Sequence, residues 1–181
     1  MSQKKYDILI VQALLKGENH IRGLSKDLGT NQTTISRKIA ELYNDNVVDY
    51  KIKGRNKVFY LKKTLEAKEH AYMAEIHKLL EAINKYPRLR RIAELVSGMK
   101  AGMVIVFGSY AKGNVHNESD IDIYADTRSK KVKEQLGLID SRISAKIGRY
   151  TPDNLLINEI NKNHIILKGL EQFYEKYGFF S

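Results

Sequence analysis

Apolar residues recur along this chain with two different periods, and each period predicts a different kind of element. Over the first 45 residues they return every three or four positions, as on a helix with one buried face. Three helices are therefore predicted, over 7–15, 21–28 and 32–43. Gly17 and Gly29 end the first two helices, Asn19 caps the second, and either Thr30 or Asn31 caps the third.

The next stretch alternates apolar and polar residues, which predicts a β-hairpin. Val48, Tyr50 and Ile52 alternate with polar side chains, and the chain turns at 54–56 and returns over 57–61. Four cations lie on or near the tip: Lys51, Lys53, Arg55 and Lys57. A basic hairpin beside three helices suits contact with a phosphate backbone.

A long stretch without helix breakers follows at 64–86 and predicts one helix, capped by Thr64 and stopped by Pro87. Its apolar residues form a seam with alternating spacings of four and three: Tyr72, Ile76, Leu79, Ile83 and Tyr86. This seam either packs against the chain's own C-terminal part or forms the interface of a homodimer. A second helix is predicted over 88–97.

The C-terminal part mixes both periods, which predicts a protein of the α+β class. An apolar run predicts a buried strand over 103–107, and alternation predicts strands over 121–124 and 142–149. Helices are predicted over 151–162 and 170–177, with a buried strand or turn over 163–169. His164 precedes an apolar run, and we expect it to be structural rather than a catalytic base.

Composition limits the kinds of protein that fit this pattern. The 181 residues contain no cysteine, which excludes disulfides and thiolate metal sites. They contain no apolar run of transmembrane length and no signal-peptide pattern, so we expect a soluble cytoplasmic protein without a membrane partner. The formal net charge is +10, of which residues 1–65 carry +7 and residues 66–181 carry +3. This asymmetry favours a polyanion-binding module near the N-terminus.

One stretch of the C-terminal part carries the clearest chemistry. Gly108 and Ser109 follow the predicted strand 103–107, and Asp120 and Asp122 come later at an i, i+2 spacing. On a strand this spacing puts both carboxylates on one face, roughly 6.5–7 Å apart along the chain, where they can hold one or two divalent cations. A Gly-Ser turn offers backbone N–H groups and a hydroxyl to phosphate oxygens. The stretch therefore indicates a site for a nucleoside triphosphate and a divalent metal.

This stretch resembles the signature of the minimal nucleotidyltransferases of the DNA polymerase β-like superfamily, which is Gly-Ser, about ten residues, then Asp-x-Asp. The resemblance implies a nucleotidyltransferase-fold α/β domain with a small mixed sheet. It also implies that Asp120 and Asp122 are catalytic ligands of Mg²⁺ or Mn²⁺. Gly108 and Ser109 would hold the triphosphate, with Lys112 close enough in sequence to assist. A nucleoside monophosphate would pass to an acceptor and pyrophosphate would leave.

The sequence departs from this family in one respect. The family usually supplies a third carboxylate from a later strand, but the positions of 142–149 that should face the site are Ser144 and Lys146. Asp140 lies just before that strand, from where we expect it could reach into the site, whereas Asp126 lies roughly 13 Å of strand rise beyond Asp122. A lysine beside two carboxylates weakens metal binding. Catalysis and nucleotide sensing without catalysis are therefore both open at this point.

Residues 4–63 resemble the winged helix-turn-helix domains of bacterial and archaeal transcription regulators, and the run 24–39 carries most of the likeness. The resemblance implies that the third helix enters the major groove of double-stranded DNA while the hairpin contacts its backbone. The implied DNA-binding residues are Gln32, Thr33, Thr34, Ser36, Arg37, Lys38, Lys51, Lys53, Arg55 and Lys57. Because many such proteins bind two half-sites as symmetric dimers, we favour the homodimer for the seam described above.

The predicted organisation is a winged helix-turn-helix domain over 1–63, a helical linker over 64–98 and a nucleotidyltransferase-like domain over 99–181. Two functions fit it. The first is a DNA-binding, Mg²⁺-dependent nucleotidyltransferase that modifies an unidentified acceptor. The second is a catalytically degenerate, nucleotide-sensing transcriptional regulator or antitoxin-like protein. Small nucleotidyltransferases of this kind resemble those paired with a helical toxin, which implies a toxin-like protein as a further partner.

Overall fold

The computed structural model describes residues 4–151 and 154–180. The chain divides into two compact units, one that extends to His77 and one that spans Lys78–Phe179. None of the described helices combines the length and the apolar character that a membrane-spanning segment needs.

The first unit contains three helices and a hairpin, followed by the start of a long helix. The order is α1 (Lys4–Leu15), α2 (Ile21–Asp27), α3 (Gln32–Asn44), β1 (Val48–Lys53), β2 (Asn56–Leu61) and α4 (Leu65–Lys85). The two strands are antiparallel, with Val48 opposite Leu61 and a two-residue turn at Gly54 and Arg55. The apolar faces predicted for the helices are buried: Ile10, Leu14, Leu24, Ile35, Ile39 and Leu42.

The start of α2 differs from the prediction. Asn19 is not the cap, because its backbone exchanges two hydrogen bonds with Phe59, at 3.0 and 2.7 Å, in an isolated antiparallel bridge. His20 is the cap instead, and its Nδ1 accepts from the Gly23 N–H at 3.1 Å. At the start of α3, Asn31 is the cap of the two alternatives, and its Oδ1 accepts from the Thr34 N–H at 2.7 Å.

The predicted seam of the long helix α4 is partly packed against the core and partly exposed. Leu79, Ile83 and Tyr86 pack against the core of the second unit, whereas Ile76 is 50% exposed. Pro87 starts α5 (Pro87–Ser97) directly after α4, as expected of a proline at the first helical position. Three of the five seam residues therefore pack on their own chain, and the homodimer stays a prediction.

The second unit is built on a four-stranded mixed sheet. Its further elements are β3 (Val104–Val106), α6 (Gly108–Lys112), β4 (Ile121–Asp126), α7 (Lys130–Ile139), β5 (Ile143–Gly148), α8 (Leu155–Lys162), β6 (Ile165–Lys168) and α9 (Leu170–Tyr177). The strand order is β5-β4-β3-β6. β3 is antiparallel to both neighbours, and β4 runs parallel to β5 because the crossover helix α7 joins them. This sheet is the small mixed sheet that the sequence predicted.

Helices α5 and α7 supply apolar side chains to the core around this sheet. α5 contributes Leu89, Ile92 and Val96, which recur at helical spacing, and α7 contributes Val132 and Leu136. The buried strand residues beside them include Val104, Val106, Ile121 and Ile123. The core therefore fixes β3 and β4, the strands on either side of the Gly-Ser turn.

Sequence reasoning missed α7. Val132 and Leu136 are spaced as on a buried helix face, but three lysines among the first four helical residues hide that stripe. The predicted start of α8 includes Pro152 and Asp153, which lie outside the described residues, and the described helix is capped by Asn154. The segment after α8 is a strand rather than a turn. His164 is buried there, with Nδ1 2.8 Å from the Ile160 carbonyl, as expected of a structural histidine.

Candidate active site

The Gly-Ser turn is the first turn of the short helix α6. Gly108 begins this helix with a φ of +66°, a conformation that favours glycine. A Cβ at this position would lie 2.3 Å from Oδ2 of Asp122. The turn is also tied to β4 by the Phe107 N–H, which donates to the Asp122 carbonyl at 3.0 Å. The backbone of Gly108 therefore lies directly against the Asp122 carboxylate.

The two predicted carboxylates differ in their surroundings. Asp122 lies on β4 and is half-buried, whereas Asp120 lies just before the strand and is exposed. Burial raises the pKa of Asp122, and the negative charges of Asp120 and Glu159 raise it further. A hydrogen bond from the Ser144 hydroxyl and the charge of Lys146 act in the opposite direction. The site thus concentrates negative charge, which a bound cation would relieve.

β5 carries no carboxylate beside Asp122. β4 and β5 pair in register, so that Ser144 lies beside Asp122 and Lys146 lies beside Tyr124. The sequence placed these two residues on the site face correctly. A hydroxyl and an exposed ammonium group therefore stand beside the carboxylates on this face.

Asp140 does not complete the site. Its Oδ1 accepts from the Arg142 N–H at 2.9 Å, and its Oδ2 lies 3.0 Å from Arg88. These contacts lower the pKa of Asp140, first through the Arg142 backbone and then through Arg88. The expectation that Asp140 could reach into the site is thus wrong, because Asp140 is held in its own turn and ion pair.

Asp126 is engaged at the other end of β4. It accepts from the Tyr150 N–H at 3.1 Å and pairs with Lys176. This position agrees with the strand-rise argument, which placed Asp126 too far along β4 to join Asp122.

Glu159 is the acidic residue that sequence reasoning missed. It lies on α8, and its charge acts on Asp122 strongly enough to help raise that pKa. Its Oε1 lies 2.7 Å from Nζ of Lys112 at the end of α6. No local signal could have found it, because it lies 37 positions after Asp122 and only the packing of α8 brings the two together.

The donor chemistry fits a hard divalent cation. Carboxylate oxygens are the protein ligands that Mg²⁺ prefers, usually one or two of them together with water and substrate phosphate. Asp120 and Asp122 supply such oxygens beside the turn. Within residues 4–151 and 154–180, no three His, Cys, Asp or Glu side chains are arranged as a complete metal site. The remaining ligands would therefore have to come from elsewhere, as they do when a triphosphate carries the metal.

Most of the α3 residues that the sequence predicted to contact DNA are exposed. Gln32, Thr33 and Ser36 are exposed, Thr34 is half-buried, and Arg37 lies 3.7 Å from Glu41. The prediction that Lys38 contacts DNA is wrong. Lys38 is only 5% exposed, because its ammonium group pairs with Asp7 at 3.2 Å and with Glu41 at 2.5 Å, inside the unit.

The hairpin cations are exposed, but several have partners. Lys51 and Lys53 both pair with Glu18, and they lower its pKa. Lys57 lies 4.1 Å from the ring centroid of Tyr50. Arg55 stands in the two-residue turn at the tip and is exposed.

The comparison with protein families agrees with the site in the second unit. The model of the family described as polymerase beta, nucleotidyltransferase, matches residues 90–171. The match covers Gly108, Ser109, Asp120, Asp122 and also Glu159. It supports the nucleotidyltransferase superfamily for this segment. No curated protein and no solved structure matches the chain.

Proposed function

We propose that this protein is a nucleotidyltransferase that uses Mg²⁺ or Mn²⁺ to transfer a nucleoside monophosphate from a triphosphate. The observation that carries the proposal is the contact between Gly108 and Asp122, inside the segment that matches the family. A turn that presents the backbone N–H groups of a helix start beside a carboxylate can hold the phosphates and the metal of one nucleotide together.

Each residue of the site has a distinct task in this proposal. Asp120 and Asp122 hold the cation, which would neutralise phosphate charge and activate the attacking hydroxyl when bound. Gly108 and Ser109 offer N–H groups and a hydroxyl to the phosphates. Lys112 leaves its pair with Glu159 to contact phosphate, and Glu159 then supplies the acidic group that β5 lacks.

The test is incubation of the full chain with each labelled nucleoside triphosphate and Mg²⁺ or Mn²⁺, following pyrophosphate release and label transfer. Asp122→Asn should abolish both signals. Asp126→Asn is the matched control, because it changes a carboxylate on the same strand that is held by Lys176 instead. Equal signals in the wild type and Asp122→Asn would overturn the proposal.

A second function is favoured by one specific observation. Ser144 and Lys146 stand on β5 where the family usually has a carboxylate, and this arrangement suits nucleotide binding without transfer. A nucleotide-sensing regulator would bind a Mg²⁺ nucleotide in a manner that Asp122→Asn abolishes, but would release no pyrophosphate with any acceptor tested. Calorimetry beside the transfer assay separates the two functions.

We also propose that the first unit is a winged helix-turn-helix that binds double-stranded DNA. The support is the exposed polar face of α3 and the exposed Arg55 at the hairpin tip. The bridge between Asn19 and Phe59 adds a third extended segment, one residue long, to the two strands of the hairpin. The charge of +7 over residues 1–65 agrees with a polyanionic partner.

Salt titration of DNA affinity tests this second proposal. Arg37→Gln and Arg55→Gln should each weaken binding and lower the slope of log affinity against log salt by about one, since each removes one cation from the proposed interface. Lys16→Gln removes an exposed cation of the same unit that belongs to neither α3 nor the hairpin, and should leave the slope unchanged. If all three variants behave alike, the face is not the DNA contact.

A further inference from the structure

A second cationic surface lies on the nucleotidyltransferase-like unit, apart from the residues discussed so far. Arg128, Lys130, Lys131 and Lys133 fall within six consecutive positions that contain no acidic residue. All four side chains are exposed. The only apolar residue among them, Val132, is buried in the core and fixes α7 beneath the cations.

The pairing of β4 with β5 brings a fifth cation to the same edge of the sheet. The Thr127 N–H donates to the Gly148 carbonyl at 3.1 Å, and the Tyr150 N–H donates to Asp126 Oδ1 at 3.1 Å. Arg128 directly follows Thr127, and Arg149 directly follows Gly148, so the first of these bonds brings the two arginines to the same edge. The carboxyl ends of the two parallel strands thus carry a cationic edge made of Arg128, Lys130, Lys131, Lys133 and Arg149.

The fold does not use these charges for its own stability. None of the five side chains forms an ion pair with any residue in the described part of the chain, and the nearby Asp126 is already paired with Lys176. Helix α7 has no acidic residue in its first turn and no basic residue in its last. Cations at a helix N-terminus oppose the helix dipole, so the first turn of α7 gains nothing from its own lysines. The arrangement therefore favours an external anion.

We propose that the cationic edge binds the phosphate backbone of double-stranded DNA, as a contact separate from the first unit. A duplex carries about one negative charge per 1.7 Å of its axis, so several exposed cations on one edge can each neutralise a phosphate. Proteins that hold single strands add aromatic side chains on which bases stack. Residues 127–149 contain no aromatic residue, so the edge reads charge and not bases. The contact is independent of nucleotide transfer.

The test uses the full chain and a random-sequence duplex, with affinity measured by fluorescence anisotropy at several salt concentrations. The variant K130Q/K131Q/K133Q should bind at least about tenfold more weakly at low salt and lower the salt slope by about two to three. The control R91Q/K100Q/K162Q removes the same charge from exposed positions elsewhere in the second unit. It should lower the slope by less than about one.

Two further arms make the outcome decisive. K130R/K131R/K133R keeps the charge and should bind like the wild type, and thermal melting of each variant checks the fold. Equal losses in the glutamine variant and its control would overturn the proposal, because net charge alone would then explain the effect. A larger loss with a single strand of the same length than with the duplex would also overturn it. Nucleotide binding should be unchanged throughout, and R37Q/R55Q reports on the first unit separately.

Discussion

Gly108 and Asp122 are in direct contact, and a Cβ on Gly108 would lie 2.3 Å from Asp122 Oδ2. The turn and the carboxylate are therefore positioned by each other as well as by the sheet. The left-handed φ of +66° at Gly108 adds a second reason for glycine at this position.

Gly108→Ala should lower the free energy of unfolding by about 2–4 kcal/mol, because it adds backbone strain and forces the carboxylate to move. It should also weaken Mg²⁺-nucleotide binding more than about tenfold, a change of about 1.4 kcal/mol. Urea unfolding and calorimetry measure the two effects. Gly113→Ala is the matched control, since Gly113 has a φ of +76° and its Cβ would meet only Lys85 Nζ, at 4.0 Å. A similar loss of nucleotide binding in both variants would contradict the role of the contact.

Ser144→Asp should strengthen Mn²⁺ binding, because it places a carboxylate on the strand position beside Asp122. We expect the affinity for Mn²⁺ to increase about tenfold. If the protein is a transferase, its transfer activity should also increase. Ser144→Asn has nearly the same shape without the charge and should show neither gain. Mn²⁺ titration followed by electron paramagnetic resonance would measure both variants, and identical affinities would show that position 144 does not face the metal.

Glu159→Gln and Lys112→Ala should separate the two partners of one ion pair. Glu159→Gln should weaken Mn²⁺ binding, whereas Lys112→Ala should weaken triphosphate binding and leave binding of the metal alone intact. Both side chains are exposed, 43% and 42%, so the pair contributes little to stability, within about 1 kcal/mol. Isothermal titration with metal and with nucleotide distinguishes them. Parallel losses of both ligands in both variants would mean that the pair acts only by holding α6 against α8.

Lys38→Met should lower the free energy of unfolding by about 1–3 kcal/mol at neutral pH, because it leaves Asp7 and Glu41 without their buried cation. Lys38 lowers the pKa of Glu41, so this carboxylate contributes stability above its unfolded pKa, which is lost as the pH falls through its folded pKa. The difference between variant and wild type should therefore shrink in acid. Urea unfolding at several pH values tests this, with Lys16→Met as a control expected to be neutral. A constant difference down to acid pH would exclude the ion pair as its cause.

Local pattern was enough to predict the elements that flank the site. The apolar run before Gly108 and the alternation after Asp120 predicted β3 and β4, although Asp120 itself lies just before β4. The site face of β5 was also predicted, since alternation alone assigns Ser144 and Lys146 to one side. These features succeed because each depends on neighbours within a few residues.

The errors occurred where a distant segment determines a residue's surroundings. Asn19 has a capping side chain, but its pairing with Phe59 moves the cap to His20. The sequence predicted that Lys38 faces DNA, but its side chain is buried in an ion pair with Asp7 on α1. The lysines of α7 concealed a buried helix face that only the sheet defines.

By itself, the sequence predicted the class of chemistry, because a Gly-Ser turn followed by two carboxylates at fixed spacing is a local pattern. It can be recognised without knowing how the rest of the chain packs. The tertiary structure decided which further charges belong to the site. It excluded Asp140, which pairs with Arg88, and it brought Glu159 into range of Asp122 through the packing of α8. The physical reason is that electrostatic neighbourhood depends on distance in space, and residues far apart in sequence become neighbours only once the core has formed.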